Sequence, residues 1–163
     1  MGGLNIMDKK LIVYYSYTNN TKKIAEQIQK ATGSDICRIE TVKPYTGDYN
    51  SVVDQGKQEV DSGYKPAIKP LPVNLEDYDT IILGTPVWWY TYAPAVAAFF
   101  SEYDLSGKTV IPFVTNGGWI GHTIKDIKRG CKNTIVKNEI DIRFDTDKME
   151  MPESNLEKWI VRL

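Results

Sequence analysis

Residues 10–30 read KLIVYYSYTNNTKKIAEQIQK. The apolar, β-branched and aromatic run Leu11-Ile12-Val13-Tyr14-Tyr15 predicts a strand buried on both faces. A turn rich in hydroxyls and amides follows, Ser16-Tyr17-Thr18-Asn19-Asn20-Thr21. Ile24, Ala25, Ile28 and Ala31 then recur at helical spacing, so a helix begins where the turn ends. A strand, a polar turn and a helix start together make an anion site, because unpaired backbone N–H groups and the helix dipole both face the turn.

The remainder of the chain extends this unit. Residues 35–40 alternate polar and apolar side chains, which predicts a half-exposed or edge strand. Between 43 and 72 the composition shifts to Pro, Gly and Tyr; a short helix over 49–61 fits inside it, and the rest reads as a long loop. Residues 78–84 predict a second buried strand, 85–92 an aromatic loop, and 93–103 a helix that accepts Pro94 in its first turn. Residues 109–114 predict a third buried strand, followed by a glycine-containing loop and a helix over 122–129. The last strand material falls in 134–144 and a closing helix in 155–161. Strands alternating with helices predict a three-layer α/β fold, a doubly wound five-stranded parallel sheet in the order 2-1-3-4-5. One domain over 9–163 is expected, with 1–8 a flexible tail.

Composition narrows the partners. The 163 residues carry 20 basic and 21 acidic side chains, a net charge of −1, so nothing in the charge argues for nucleic acid or an anionic membrane. No apolar run approaches the ~20 residues of a membrane span, and residues 1–9 lack the pattern of a signal peptide. Cys37 and Cys131 lie far apart without metal-ligand spacing and read as structural thiols in a reducing compartment, which makes a cytoplasmic location the expectation.

In such a sheet the ligand site lies beyond the carboxyl ends of the strands at the switch in strand order, here between the first and third strands. Three loops lead there. The first offers hydroxyls, amides and a helix start, and suits a phosphate without lysine or metal. The second surrounds a rigid proline with large aromatics, and suits a flat ring. The third pairs Asn116 with Gly117 and Gly118, whose backbone can approach a ligand edge. Together they describe a pocket for flavin mononucleotide (FMN).

Three segments carry a family resemblance: [ST]-x-[ST]-x-N-T at 16–21, L-G-x-P-x-W-W at 83–89, and G-K-x-V-x-P-F-x-T-x-G-G at 107–118. In this order, each after its own strand, they make the chain resemble the flavodoxin-like FMN-binding family, specifically its short bacterial members, over about residues 10–129. The resemblance implies that Ser16, Thr18, Asn19, Asn20 and Thr21 hold the FMN phosphate. It implies that Thr85, Pro86, Val87, Trp88 and Trp89 run along the isoalloxazine, with one tryptophan near a ring face, and that Thr115, Asn116, Gly117 and Gly118 meet the pyrimidine edge. The family usually has glycine where this chain has Asn19, a residue that tolerates left-handed backbone better than most. Trp119 is bulky for its place, and the chain lacks the strong acidity of electron-carrier flavodoxins.

Each feature also has a plainer reading. Thr18 or Asn19 alone would explain a helix cap, the tryptophans could be core, and Gly117-Gly118 could mark only a turn. His122, the single histidine, sits at a predicted helix start and reads as a capping or solvent-exposed residue. No paired carboxylates, metal cluster or Ser–His–Asp arrangement points to hydrolysis, so no catalytic side chain is assigned. The residues favour an FMN-dependent electron-transfer protein. The alternatives are a reductase that uses NAD(P)H and a small quinone-type acceptor, and a binding module of the same fold that has lost flavin. Receiver, P-loop and dinucleotide folds need residues that are absent after the first strand. The oligomeric state is not legible.

Overall fold

The computed structural model describes residues 9–163, and the expected tail at 1–8 lies outside the described residues. Strand β1 (Lys10–Tyr14) is buried along its length, and helix α1 (Asn20–Thr32) follows directly. Then come β2 (Asp35–Arg38), α2 (Tyr49–Ser62), β3 (Thr80–Trp88), β4 (Thr91–Tyr92) and α3 (Pro94–Glu102). The chain continues through β5 (Thr109–Asn116), α4 (Thr123–Gly130), β6 (Ile135–Val136), β7 (Ile140–Asp145), β8 (Lys148–Met149) and α5 (Glu153–Val161).

The sheet runs β2-β1-β3-β5-β7-β8, with β4 on β3 and β6 on β5. Its parallel body, β2-β1-β3-β5 and then β6 with β7, is the expected 2-1-3-4-5 order. Two features were not expected. The third strand in space, β3, continues beyond Gly84 to Trp88 and turns back as a hairpin with β4. A second hairpin joins β7 to β8. Both lie past the carboxyl ends of their strands.

Two apolar layers sandwich the sheet. On one face Leu11, Val13, Ile81 and Leu83 pack with Val96 and Phe99 of α3 and Ile127 of α4. On the other, Ile12, Ile82, Ile111 and Phe113 pack with Ile24 and Ile28 of α1 and with Leu156 and Trp159 of α5. Alternate residues of one strand serve opposite layers, which is why these strands read as continuous apolar runs.

Proline inside central strands needs an account, because it donates no ladder hydrogen bond. Lys137 N donates to Val110 O at 3.1 Å, so Val110 points its backbone groups toward β6. Pro112, two residues on, points the same way. There β6 has ended at Val136 and β7 has not begun, so no acceptor waits for the missing N–H. Pro86 repeats the device: Tyr15 N donates to Gly84 O at 3.0 Å, and Pro86 points to the same side just beyond the end of β1.

Cys37 and Cys131 are buried and free. Burial pushes the Cys37 thiol up to about 11 and the Cys131 thiol up to about 12. Since the thiolate is the reactive form, neither should react with Ellman's reagent at pH 8 on the timescale of minutes, and both should react once the chain is unfolded in guanidinium. A second prediction concerns the centre of the sheet. A Cβ on Gly84 would lie 2.2 Å from Phe113 Cζ. Gly84→Ala should therefore cost about 1–3 kcal/mol in denaturant unfolding, and adding Phe113→Leu should cost less than the two changes summed.

Candidate functional site

The first loop leaves β1 at Tyr15 and reverses into α1. Asn19 holds φ 74°, ψ −2° at the N-cap, and its side chain makes no capping hydrogen bond. This is the left-handed conformation that glycine would adopt there, which Asn reaches at modest cost. Ser16 is buried, and its Oγ accepts from Lys22 N at 3.2 Å. Thr21 is buried too, its hydroxyl 2.7 Å from that of Thr115 at the end of β5. Asn20 Nδ2 donates to Thr146 O at 2.7 Å, while its buried Oδ1 has no partner.

The second segment differs from the aromatic loop expected of it. Val87 pairs with Tyr92 and Trp88 with Thr91, leaving Trp89 and Tyr90 as a two-residue turn. Both hold positive φ, 51° and 71°, as a type I′ hairpin turn demands. For bulky side chains that conformation is strained and must be held from outside. His122 N donates to Tyr90 O at 2.9 Å, and Trp89 Nε1 donates to Val53 O in α2 at 3.0 Å. A Cβ on Gly121 would lie 2.4 Å from Tyr90 O, so only glycine lets the neighbouring loop come this close. Asp126 Oδ2 accepts from Thr91 Oγ1 at 2.6 Å and also meets His122 Nδ1. His122 thus braces the hairpin through Asp126, and does not cap α4 with its side chain.

Trp88 stands among Tyr15, Tyr17 and Tyr45, with ring centroids 5.9, 5.9 and 4.9 Å away. Tyr45 in turn donates to the buried carboxylate of Glu59 at 2.6 Å. Burial, then that hydrogen bond, hold the Tyr45 hydroxyl far above the ordinary phenol range. Burial likewise raises Tyr15. These phenols stay neutral at physiological pH, so the rings packed behind Trp88 add no charge of their own.

The third loop is a braced turn. Asn116 Oδ1 accepts from Gly118 N at 3.0 Å, and Asn116 Nδ2 donates to Asp141 Oδ1. Arg143 donates to Gly118 O from the neighbouring strand β7. A Cβ on Gly117 or Gly118 would meet nothing within 4 Å, so the backbone there faces open space.

A cavity of about 550 Å³ joins the three loops. Of the residues expected at a ligand, Thr18, Asn20, Pro86, Val87, Trp88, Trp89, Thr115, Asn116 and Gly117 line it. Ser16, Asn19, Thr21, Thr85 and Gly118 do not. The Thr85 side chain turns inward, donating to Pro86 O at 2.8 Å and accepting from Ala93 N at 3.2 Å, which fixes the start of α3. Tyr17 of the first loop lines it as well, and Tyr49, Val52, Val53 and Gly56 of α2, with Phe144 and Thr146 of the β7–β8 hairpin, complete the wall. Sequence reasoning missed the six of α2 and the hairpin. A signal existed for α2: a glycine inside a helix, four residues after Val52, marks a close approach, and a Cβ on Gly56 would sit 3.2 Å from the Trp88 ring. Nothing comparable marks Thr146. Among the described residues no group of His, Cys, Asp or Glu could hold a metal ion, and no helix is long and apolar enough to cross a membrane.

The residues present fit a phosphorylated planar cofactor. A helix start left free by its N-cap side chain, an unpartnered buried Asn20 oxygen and an open glycine backbone surround a cavity of the size expected for a small-molecule site. Comparison with known proteins agrees. A crystal structure of a Bacteroides eggerthii protein assigned as a flavoprotein superposes with a TM-score of 0.78 at 30% identity, covering 94% of this chain and 96% of that one. A Lactobacillus acidophilus flavoprotein solved in complex with FMN superposes at 0.74 with 23% identity, over 94% and 99%, which speaks to the fold alone. Flavodoxin 1 of Escherichia coli K12 is 29% identical over 106 residues, 63% of this chain and 46% of that protein, so the chain spans about half the length of the curated relatives it matches. The family model described as Flavodoxin matches residues 9–162, and on that match the chain belongs to the flavodoxin family.

Proposed function

We propose that this chain binds FMN in the cavity between its three loops and serves as an electron-transfer protein. The observation that carries the reading is the convergence of a helix start, an aromatic hairpin and an open glycine backbone on one cavity at the switch between β1 and β3. The flavin, when bound, supplies the one- or two-electron chemistry. Thr18, Asn19 and Asn20, with the N–H groups of the first turn of α1, would take the phosphate; Ser16 and Thr21 shape that loop from behind. Pro86, Trp88 and Trp89 would lie along the ring system and keep water from it, and the backbone of Asn116 and Gly117 would meet its polar edge.

The electron donor and acceptor belong to the same proposal: a redox partner protein in the cytoplasm, where buried free thiols persist. A second reading, a reductase taking NAD(P)H and a small quinone-type acceptor, is favoured by exposed aromatics next to the site. Tyr90 and Trp119 pack at 5.1 Å and are 49% and 65% exposed, a surface on which a flat molecule could stack.

The test is spectroscopic. FMN added to the purified apoprotein should shift its visible absorption bands and lose fluorescence on binding; an unchanged spectrum at high protein concentration overturns the cofactor assignment and leaves a binding module. Thr18→Ala should weaken FMN about tenfold, on the order of one charge-assisted hydrogen bond. Thr21→Val should instead lower unfolding stability by about 1–2 kcal/mol, since it strands the buried Thr115 hydroxyl. Anaerobic mixing of the loaded protein with NADPH separates the two readings: a reductase bleaches the flavin band unaided, whereas a carrier needs a partner protein.

A further inference from the structure

Arg38 has no role in any of the expected site segments. It ends β2 opposite Tyr14 of β1, and Ile39 N donates to Tyr14 O at 2.7 Å, so its backbone is fixed beside the start of the first loop. The face on which it lies is decided by alternation. Ile36, two residues earlier, packs with the α1 layer, and the Arg38 guanidinium stands 5.9 Å from the Tyr14 ring in that same layer. From there its Nη2 donates to Ser16 O, the first carbonyl of the loop, at 3.0 Å.

This cation is half-buried and forms an ion pair with no carboxylate among the described residues. Glu26 and Glu40 are the acidic groups near enough to act on the same Tyr14 hydroxyl, which burial raises and Arg38 lowers. A partly desolvated charge met by a carbonyl and a ring face, with no carboxylate in contact, gains from an anion nearby. Its surroundings are otherwise positive: α1 starts with no acidic residue in its first turn, and Lys22 and Lys23 stand there. In a chain of net charge −1 this is a local concentration of positive charge, and it coincides with the loop whose N-cap residue, Asn19, makes no side-chain hydrogen bond to the helix.

Resting on the FMN reading above, we infer that Arg38 is the charge that makes this site select a phosphorylated flavin over an unphosphorylated one. It acts as a positioning and electrostatic residue from behind the loop: it orients the Ser16 carbonyl away from the anion and offsets the phosphate dianion's charge through low-dielectric protein. The loop's hydroxyls, amides and helix dipole already favour a phosphate; a fixed cation adds to them a charge contribution that an unphosphorylated flavin does not feel.

The experiment compares FMN with riboflavin, by fluorescence titration against the wild-type chain, Arg38→Met and Arg38→Lys. Wild type should prefer FMN, and the preference should fall as salt rises from about 50 to about 500 mM (roughly a threefold drop in Debye length). Arg38→Met should weaken FMN about tenfold, leave riboflavin within about twofold and flatten the salt dependence. Arg38→Lys should recover most of the FMN affinity. Equal weakening of both ligands by Arg38→Met, or no change in either, overturns the inference. Should Arg38→Met fail to fold, Arg38→Lys and the wild-type salt series still decide it: an FMN-to-riboflavin preference insensitive to salt counts against it. Wild type that binds neither flavin overturns the FMN reading itself, a distinct result from binding both equally.

Discussion

The parallel ladder through β1, β3 and β5 is the constraint from which the site follows. Tyr14, Gly84 and Phe113 lie side by side in register; β1 ends at that level and gives way to the first loop, while β3 runs on to Trp88 and β5 to Asn116 beside it. The segments beyond them therefore emerge as neighbours, although they are separated by dozens of residues in the chain. That register needs a glycine at position 84, because the Phe113 ring occupies the space any side chain there would fill. The buried Thr21–Thr115 hydroxyl contact then joins the first loop to the third and holds the mouth of the cavity at a set width.

Backbone strain gathers at this end of the sheet. Asn19, Trp89, Tyr90 and Thr146 all hold positive φ, and each lies in or beside a segment that lines the cavity. Strain of this kind, on the order of 1–3 kcal/mol per residue, persists only where neighbours over-determine the conformation. Here the neighbours are identifiable. His122 N and the Asp126 carboxylate secure the Trp89–Tyr90 hairpin, α2 receives the Trp89 indole, and the Asn20 amide holds the carbonyl of Thr146. The second hairpin is thus tied to the start of α1 through one asparagine.

The charge of the site is equally local. The phenols of Tyr15 and Tyr45 packed around Trp88 are kept neutral by burial, while Lys22, Lys23 and Arg38 gather at the start of α1 and Arg143 donates to the third loop. An overall balance of acidic and basic residues conceals this separation, because composition sums over a surface that the fold divides into distinct neighbourhoods.

What the sequence determined by itself was the alternation of buried strands and helices, the order of the sheet, and the three segments that meet at its switch point. Each is encoded locally: in β-branched runs, in helical spacing of apolar residues, and in turn chemistry that stands directly after a strand. Asn19 belongs here too, since its capacity for left-handed backbone is intrinsic. Tertiary structure decided the rest. Thr85 and Trp88 look alike to a reader of the chain as loop residues, yet one hydroxyl is drawn inward to start α3 and one indole is caged at the cavity. The hairpin that follows β3, the wall supplied by α2, the closure by Phe144 and Thr146, and the placement of Arg38 all depend on contacts between segments far apart in sequence. No local pattern specifies such contacts, because the energy that selects them is packing and hydrogen bonding between surfaces that exist only once the sheet has formed.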